Sequence, residues 1–397
     1  MRIVICHNYF RERGGEDQVF EDELELLKSK GHDVATFVRH NSDFHGLGDV
    51  IKVGLGTPWN RGAAAGLEDL VRKTNAEIVH FHNWLPQISP AGFYAARKAG
   101  AAVVQTLHNY RWACPKGILF RDGKVCEDCM GKRIPWPAVR HSCYHESSLG
   151  SLVVGATIGL HNAMKTTTRA IDAFIAPGPF IKAKMTSAGI PGDRIYIKPN
   201  FLSADPGPGT GDGGYVMYLG RLSPEKKIDT LLAAWELLDG KVPLKISGIG
   251  PLQPDVEAAA QKDPSIEYLG FAPNEALDGL LGDARALVFT SGTYEAQPLT
   301  ILETYAKGTP VIAARMGAME DLIEDEKTGW HFNPNDSQDL ARVVTEAFNP
   351  SADLAPMRTT VREKYLKNFT PGPNHELAMQ VYDAAIRHRH GNPQETR

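Results

Sequence analysis

What most restricts this chain is a pattern that runs, breaks and starts again. From Ile3 to Lys198, short apolar runs alternate with helical stretches, and from Tyr215 the alternation resumes. Between them lies Phe201–Gly214, rich in glycine and proline, which reads as a linker. Ile3–Cys6, Val34–Val38, Glu77–Phe81, Ala102–Leu107, Ala173–Ala176 and Ile195–Lys198 read as strands in the first half. Tyr215–Leu219, Leu244–Ser247, Ile266–Leu269, Ala286–Phe289, Pro310–Ala313 and Gly329–Phe332 do so in the second. Strand, loop, helix and strand in succession favour parallel sheets covered by helices. At 397 residues the chain exceeds one ordinary core. The expected class is therefore α/β, with two Rossmann-like domains facing across a cleft. The domains would be residues 1–200 and 215–373, joined by 201–214 and followed by a terminal helix within 374–397.

Chemistry in such sheets gathers at the carboxyl ends of the strands. The richest of these edges is Thr290–Thr309, TSGTYEAQPLTILETYAKGT. Glu295 and Glu303 stand eight positions apart, a spacing that puts both on one side if the stretch is helical. Gln297, Pro298, Leu299 and Thr300 would form the first turn of a helix, whose unpaired N–H groups and dipole suit a diphosphate. Arg221 and Lys226 follow another strand, and two cations there can neutralise a leaving diphosphate. Gly220 opens that loop, and Gly248–Gly250 offers a further close approach of backbone to ligand. Tyr268–Phe271, with Gly270, has two open readings, a surface for a nucleobase or core packing.

In the first half, Gly14–Gly15 ends the loop after the first strand and lets a ligand come close. It is not G-x-G-x-x-G, which disfavours a dinucleotide. His80, His82 and His108 stand at strand ends, where a structural role competes with a catalytic one. Asn41–Asn60 reads as a loop over the cleft. Cys114, Cys126, Cys129 and Cys143 crowd into the insertion 114–145 and leave a structural zinc, free thiols or a disulfide open. Leu149–Met164, with Lys132, Arg133, Trp136, Arg140, Lys165 and Arg169 nearby, reads as a packed helix, with contact to a membrane surface or a lipid-linked acceptor as the alternative.

Hydrophobic content of 42% and charged content of 23% describe a water-soluble chain. A net charge of −4 gives no basic field for nucleic acid. No uninterrupted apolar run reaches membrane-spanning length. MRIVICHNYF reads as a strand rather than an export signal, so the expected compartment is the reducing cytoplasm, with peripheral contact at the inner face of the membrane left open.

Together these residues carry a resemblance. Gly14–Gly15, GHDV at Gly31–Val34, His108, GRLSPEKK at Gly220–Lys227, Glu295-x7-Glu303 and the Gly317 loop resemble the retaining glycosyltransferases of family 4, which have the GT-B fold. The cysteine-bearing insertion is similar to that of bacterial polysaccharide-assembly members. The resemblance implies that Gly15 approaches the donor phosphate and that His108 hydrogen-bonds the transferred sugar. It implies that Arg221 and Lys226 bind the diphosphate, that Glu295 meets sugar hydroxyls and that Glu303 holds the ribose. The N–H groups of Leu299 and Thr300 would meet phosphate. A nucleotide diphosphate sugar, of uridine or guanosine, is the implied donor, a glycan or lipid-linked hydroxyl the implied acceptor, and no catalytic metal is implied. Ala296-Gln297-Pro298 stands where many relatives carry a Gly-Phe-Gly-type stretch, a departure that bears on donor identity. A nucleotide-sugar 2-epimerase of the same fold and a non-catalytic binding scaffold are the competing readings.

Overall fold

A computed structural model describes residues 1–41, 47–349 and 353–391. The chain divides into two compact units. The first comprises Met1–Leu119, Cys126–Ser203 and the segment from Pro371 onward; the second comprises Phe120–Val125 and Ala204–Thr370.

The first unit carries β1 (Arg2–Tyr9), β2 (Asp33–His40), β3 (Ile78–Phe81) and β4 (Ala102–Thr106). A two-stranded antiparallel hairpin, β5 (Phe120–Arg121) with β6 (Lys124–Val125), which belongs to the second unit, interrupts the chain before the first unit resumes with β7 (Ala173–Ala176) and β8 (Ile195–Ile197). The six long-range strands are all parallel in the order β2-β1-β3-β4-β7-β8. Helices α1 (Gly15–Ser29), α2 (Leu47–Gly56), α3 (Arg61–Thr74), α4 (Ala91–Lys98), α5 (Trp136–Arg140), α6 (Ser148–Ala163), α7 (Thr166–Arg169) and α8 (Pro179–Ser187) connect them. Strands such as Ile78–Phe81 and Ala173–Ala176 are buried along their whole length, as parallel strands covered on both faces must be. Gly31, at φ +80, ends α1: its N–H and that of His32 reach back to Lys28 and Leu27 carbonyls, a reversal that a side chain would strain.

The second unit holds β9 (Val216–Leu219), α9 (Ile228–Leu238), β10 (Leu244–Ser247), α10 (Gln253–Lys262), β11 (Ile266–Gly270), α11 (Asn274–Asp283), β12 (Ala286–Phe289), α12 (Leu299–Ala306), β13 (Val311–Ala314), α13 (Ala318–Leu322), β14 (Gly329–Phe332), α14 (Ser337–Ala347) and α15 (Ala355–Asn368). Its sheet is parallel in the order β11-β10-β9-β12-β13-β14. Val216, Leu231, Trp235, Ile246, Val288 and Ile312 form part of one core. Both sheets have the doubly wound, Rossmann-like arrangement. The strand order reverses at β1/β3 in the first and at β9/β12 in the second, and at such reversals a crevice opens beyond the strand ends.

Helix α16 (Pro371–His390) belongs to the first unit. Val381, Tyr382 and Ala385 pack with Ile3, Leu27, Val104 and Ile175. Two expectations change. Of the loop expected at 41–60, residues 47–56 form α2, while 42–46 lie outside the described residues. The expected linker is not free from Ala204 onward. The N–H groups of Gly209, Gly211 and Gly213 donate to the carbonyls of Lys307, Gly282 and Asp283 at 2.9–3.0 Å. A Cβ on Gly209 would stand 2.2 Å from Gly282 Cα, so here glycine serves close backbone approach rather than flexibility.

Candidate active site

At the β9/β12 reversal of the second unit, loops distant in sequence meet. Lys226, in the loop after β9, places Nζ 2.5 Å from Glu295 Oε1 in the loop after β12. Ser291 Oγ donates to the same carboxylate oxygen at 2.6 Å. Thr290 Oγ1 donates to the Lys226 carbonyl at 2.6 Å, and Gly292 N–H to the Glu225 carbonyl at 2.8 Å. The two loops are thus stitched by backbone as well as charge. Arg221 is exposed beside them, its carbonyl accepting from Tyr218 Oη at 3.2 Å. Gly220 N–H donates to the Ser247 carbonyl. Gly248, at φ +152, and Gly250 pass so close that a Cβ would lie 1.9 Å from Gly220 O and 2.3 Å from Leu222 O respectively. These glycines therefore seat the β10 loop against the loop that carries Lys226.

Glu295 and Glu303 do not share a helix. Pro298 has no N–H and biases the residue before it away from helical dihedrals, so α12 begins at Leu299 and Glu295 stays in the loop. Leu299 and Thr300 are its first two residues, where backbone N–H groups lack intrahelical acceptors. Glu303 lies half-buried within α12. Gly317, at φ +63, caps α13. At the end of β11 the two readings of Tyr268–Phe271 divide. Tyr268 packs on the core and its hydroxyl donates to the Gly248 carbonyl at 2.9 Å. Phe271, after Gly270 at φ +66, is 75% exposed and does not pack in the core.

In the first unit, Gly14 and Gly15 stand exposed where α1 begins. A Cβ on Gly14 would meet nothing within 4 Å, so packing does not demand glycine there. Asn109 Nδ2 donates to Glu16 Oε1 at 2.7 Å and brings the His108 loop to this helix start. Burial pushes the Glu16 carboxyl up, against the Asn109 amide and the Arg111 charge. His108 Nε2 lies 2.9 Å from His82 Nδ1, and both rings line a small pocket with Thr106, Asn109 and Arg111. Burial, then the charge of His7, His80 and Lys198, pushes His108 well below its ordinary range. It is a neutral imidazole at pH 7, able to hold a hydroxyl without bringing charge.

Behind these rings lies a buried network, of which the sequence marked only His80. Lys198 Nζ is 3.1 Å from Glu23 Oε2, with the side chains 3% and 1% exposed. His80 joins Thr106 Oγ1 at 2.7 Å and Tyr382 Oη at 2.9 Å. His7 Nε2 meets Asp17 Oδ1 at 2.6 Å. Burial opposes ionisation of Asp17, but His7 and the Gly14 and Phe10 N–H groups hold its carboxyl below the usual range. Nothing in the local sequence singles out Glu23, Asp17 or Lys198; only partners brought from elsewhere in the chain mark them. Among the described residues, Glu23, His80 and His82 are the group whose ligand atoms all lie within 4.8 Å of one another. The Lys198 ammonium already stands against that carboxylate, which leaves little electrostatic reason for a metal ion.

Cys114, Cys126, Cys129 and Cys143 gather in one part of the first unit, where the charge of the other three thiols acts on Cys129. Among the described residues no three of them bring their sulfur atoms within that mutual distance of one another. All four are free cysteines, and Cys129 Sγ instead faces the Pro135 carbonyl at 3.8 Å. Burial pushes the Cys129 thiol up to about 12. The spacing brought the cysteines into one lobe without setting the side-chain directions.

Comparison with known proteins agrees with both halves. Residues 13–205 match the model of "Glycosyltransferase Family 4", and residues 207–364 that of "Glycosyl transferases group 1". The O-antigen chain mannosyltransferase B of Escherichia coli is 34% identical over 142 residues, covering 34% of this chain and 36% of that one. The chain thus spans little more than a third of that relative's length. The D-inositol 3-phosphate glycosyltransferase of Rhodococcus erythropolis is 27% identical over 332 residues, 79% of this chain and 69% of that one. Among solved structures, Anabaena Alr3699/HepE in complex with UDP superposes with a TM-score of 0.69 at 16% identity, over 96% of this chain and 100% of that one. Sucrose-phosphate synthase of Thermosynechococcus elongatus does so with a TM-score of 0.67 at 16% identity, over 96% and 98%.

Proposed function

We propose, for a chain that is a family-4-like glycosyltransferase of GT-B fold, that it moves a hexose from a nucleotide diphosphate sugar to a hydroxyl of a glycan or lipid-linked acceptor, with retained anomeric configuration, in cell-surface polysaccharide assembly. The observation that carries this is the meeting of Lys226 and Glu295 at the strand-order reversal, next in sequence to the N-terminus of α12.

The diphosphate lies against the free N–H groups of Leu299 and Thr300, with Arg221 and Lys226 as its cations. As the bond from the anomeric carbon to the phosphate oxygen breaks, negative charge grows on that oxygen. Lys226 then interacts more strongly with the leaving group than with intact donor, the condition for raising turnover. The acceptor oxygen bonds to the anomeric carbon on the face the diphosphate leaves, and its proton passes to the departing phosphate. Glu295 exchanges part of its contact with Lys226 for sugar hydroxyls, and Glu303 holds the ribose; in the first unit, the roles proposed by resemblance are a hydrogen bond from His108 to a sugar and close approach of Gly15 to a phosphate. The Anabaena neighbour was solved with UDP, which favours uridine as the base here.

The test is a melting-temperature screen of the full chain against uridine and guanosine diphosphate sugars. A ligand at 100 times its dissociation constant adds about 2.7 kcal/mol to stability. A shift with one donor, followed by a retained-configuration product by NMR, supports the proposal. No shift with any nucleotide sugar at millimolar concentration refutes it, and an epimerised sugar without acceptor turns it to the 2-epimerase.

A further inference from the structure

The face of α6 that turns away from the first unit's core is apolar. Leu149, Leu152, Ala156, Leu160 and Ala163 are exposed at spacings of three and four residues, and so form one ridge along the helix. Leu149 is 72% exposed and Leu152 and Leu160 are 42% each. The opposite face, with Val154, Ile158 and His161, is buried. Two neighbours extend the ridge. The segment 133–140 seats against Gly155 and Gly159, where a Cβ would stand 3.4 Å from Val139 and 3.0 Å from Ile134; this segment exposes Ile134 and Trp136. On another side α2 packs beside α6 and exposes Ile51 and Leu55 at 62% and 79%.

The charge around this apolar surface is mainly positive, although Asp128 lines the same pocket as Lys132, Trp136 and Arg140, and Glu146 is exposed just before α6. Lys132, Arg133, Arg140, Lys165 and Arg169 are exposed, and among the described residues none of them is in an ion pair. Between positions 132 and 169 the only acidic residue is Glu146, in a chain whose net charge is −4. A second copy of this face would set cations against cations. A bilayer of anionic phospholipid meets both features: headgroups for the lysines and arginines, and the acyl boundary for leucine and tryptophan. The helix cannot span. At 16 residues it is ~24 Å long, one face is committed to the core, and no described helix is long and apolar enough to cross a membrane.

We infer that the outer face of α6, with Trp136 and the surrounding cations, docks the first unit on an anionic membrane surface. This goes beyond sugar transfer and stands on the first unit alone. Flotation of the full chain with vesicles tests it. Vesicles of phosphatidylcholine containing one third phosphatidylglycerol should bind about tenfold or more tightly than phosphatidylcholine alone, with the preference lost at about 0.5 M salt. Leu152→Glu with Leu160→Glu should weaken binding about tenfold or more, and Lys132→Ala with Arg140→Ala should reduce the preference for anionic lipid. These side chains are exposed, and melting temperature and donor-induced shift are the controls that separate this result from failure of the transferase reading. Equal binding to neutral and anionic vesicles, or no binding, overturns the inference; the unmodified chain decides this if a variant misfolds. Binding unchanged by the leucine pair overturns it, as does a dimer that the leucine pair dissolves.

Discussion

Replacing Lys226 by alanine separates what the Lys226–Glu295 contact does for the fold from what it does for the reaction. The pair is close at 2.5 Å, but its side chains are 22% and 18% exposed, so water screens part of the attraction. Partly exposed ion pairs contribute about 1 kcal/mol or less. The carboxylate left behind keeps the Ser291 hydroxyl at 2.6 Å, and Gly292 still bonds the Glu225 carbonyl, so the loops remain joined. For a unit of this size the melting temperature should fall by about 2–4 °C. Turnover should change on another scale. A cation aimed at charge that develops only as the phosphate leaves is worth about 3–4 kcal/mol, or roughly two to three powers of ten in kcat. The assay is release of nucleoside diphosphate from the donor that shifts melting, with and without acceptor. The loss should fall in kcat more than in KM, because the intact donor retains Arg221 and the α12 amides. Turnover within a few-fold of the unmodified chain, at either readout, would refute the role given to Lys226. A melting temperature lowered by ten degrees or more would show that the contact is mainly structural.

Other expectations follow from particular contacts. Lys198→Met leaves the Glu23 carboxylate buried without its cation and should cost about 3–5 kcal/mol, seen as an early melting transition; Lys198→Met with Glu23→Gln should recover much of it. Burial pushes His80 down to about 4 from 6.5, so between those pH values the unfolded chain binds more protons than the folded one. The stability His80 contributes is therefore complete above about 6.5 and is lost as pH falls toward about 4, up to about 3 kcal/mol in all; a melting temperature that stays level from pH 7 to about 4.5 would contradict this. Gly14→Ala meets no atom within 4 Å at φ −128, so it should fold normally and weaken donor affinity if phosphate approaches there. Gly250→Ala must move the Leu222 carbonyl, 2.3 Å from its Cβ, and should abolish the donor-induced melting shift by displacing the Lys226 loop.

The alternation of strands and helices, the restart after residue 201 and the helix stop at Gly31 could be read directly. Each depends on periodicity or on the dihedral freedom of one residue, and such information is local. The same holds for Arg221, Lys226, Glu295 and the α12 start, which a few consecutive residues place at strand ends. What local pattern could not supply is which ends meet. Lys226 finds Glu295 69 residues away, Lys198 finds Glu23 175 away, and His80 finds Tyr382 302 away, because strand order and the return of α16 set those distances. The direction of a side chain in irregular backbone is likewise a tertiary matter, and so the spacing of the four cysteines could bring them into one lobe without fixing where each thiol points. Helix α6 shows the same division. Its sequence makes it apolar nearly all round, but only the packing of the first unit leaves the Leu149–Leu160 ridge facing water, because a core can bury one side of a surface helix and not both.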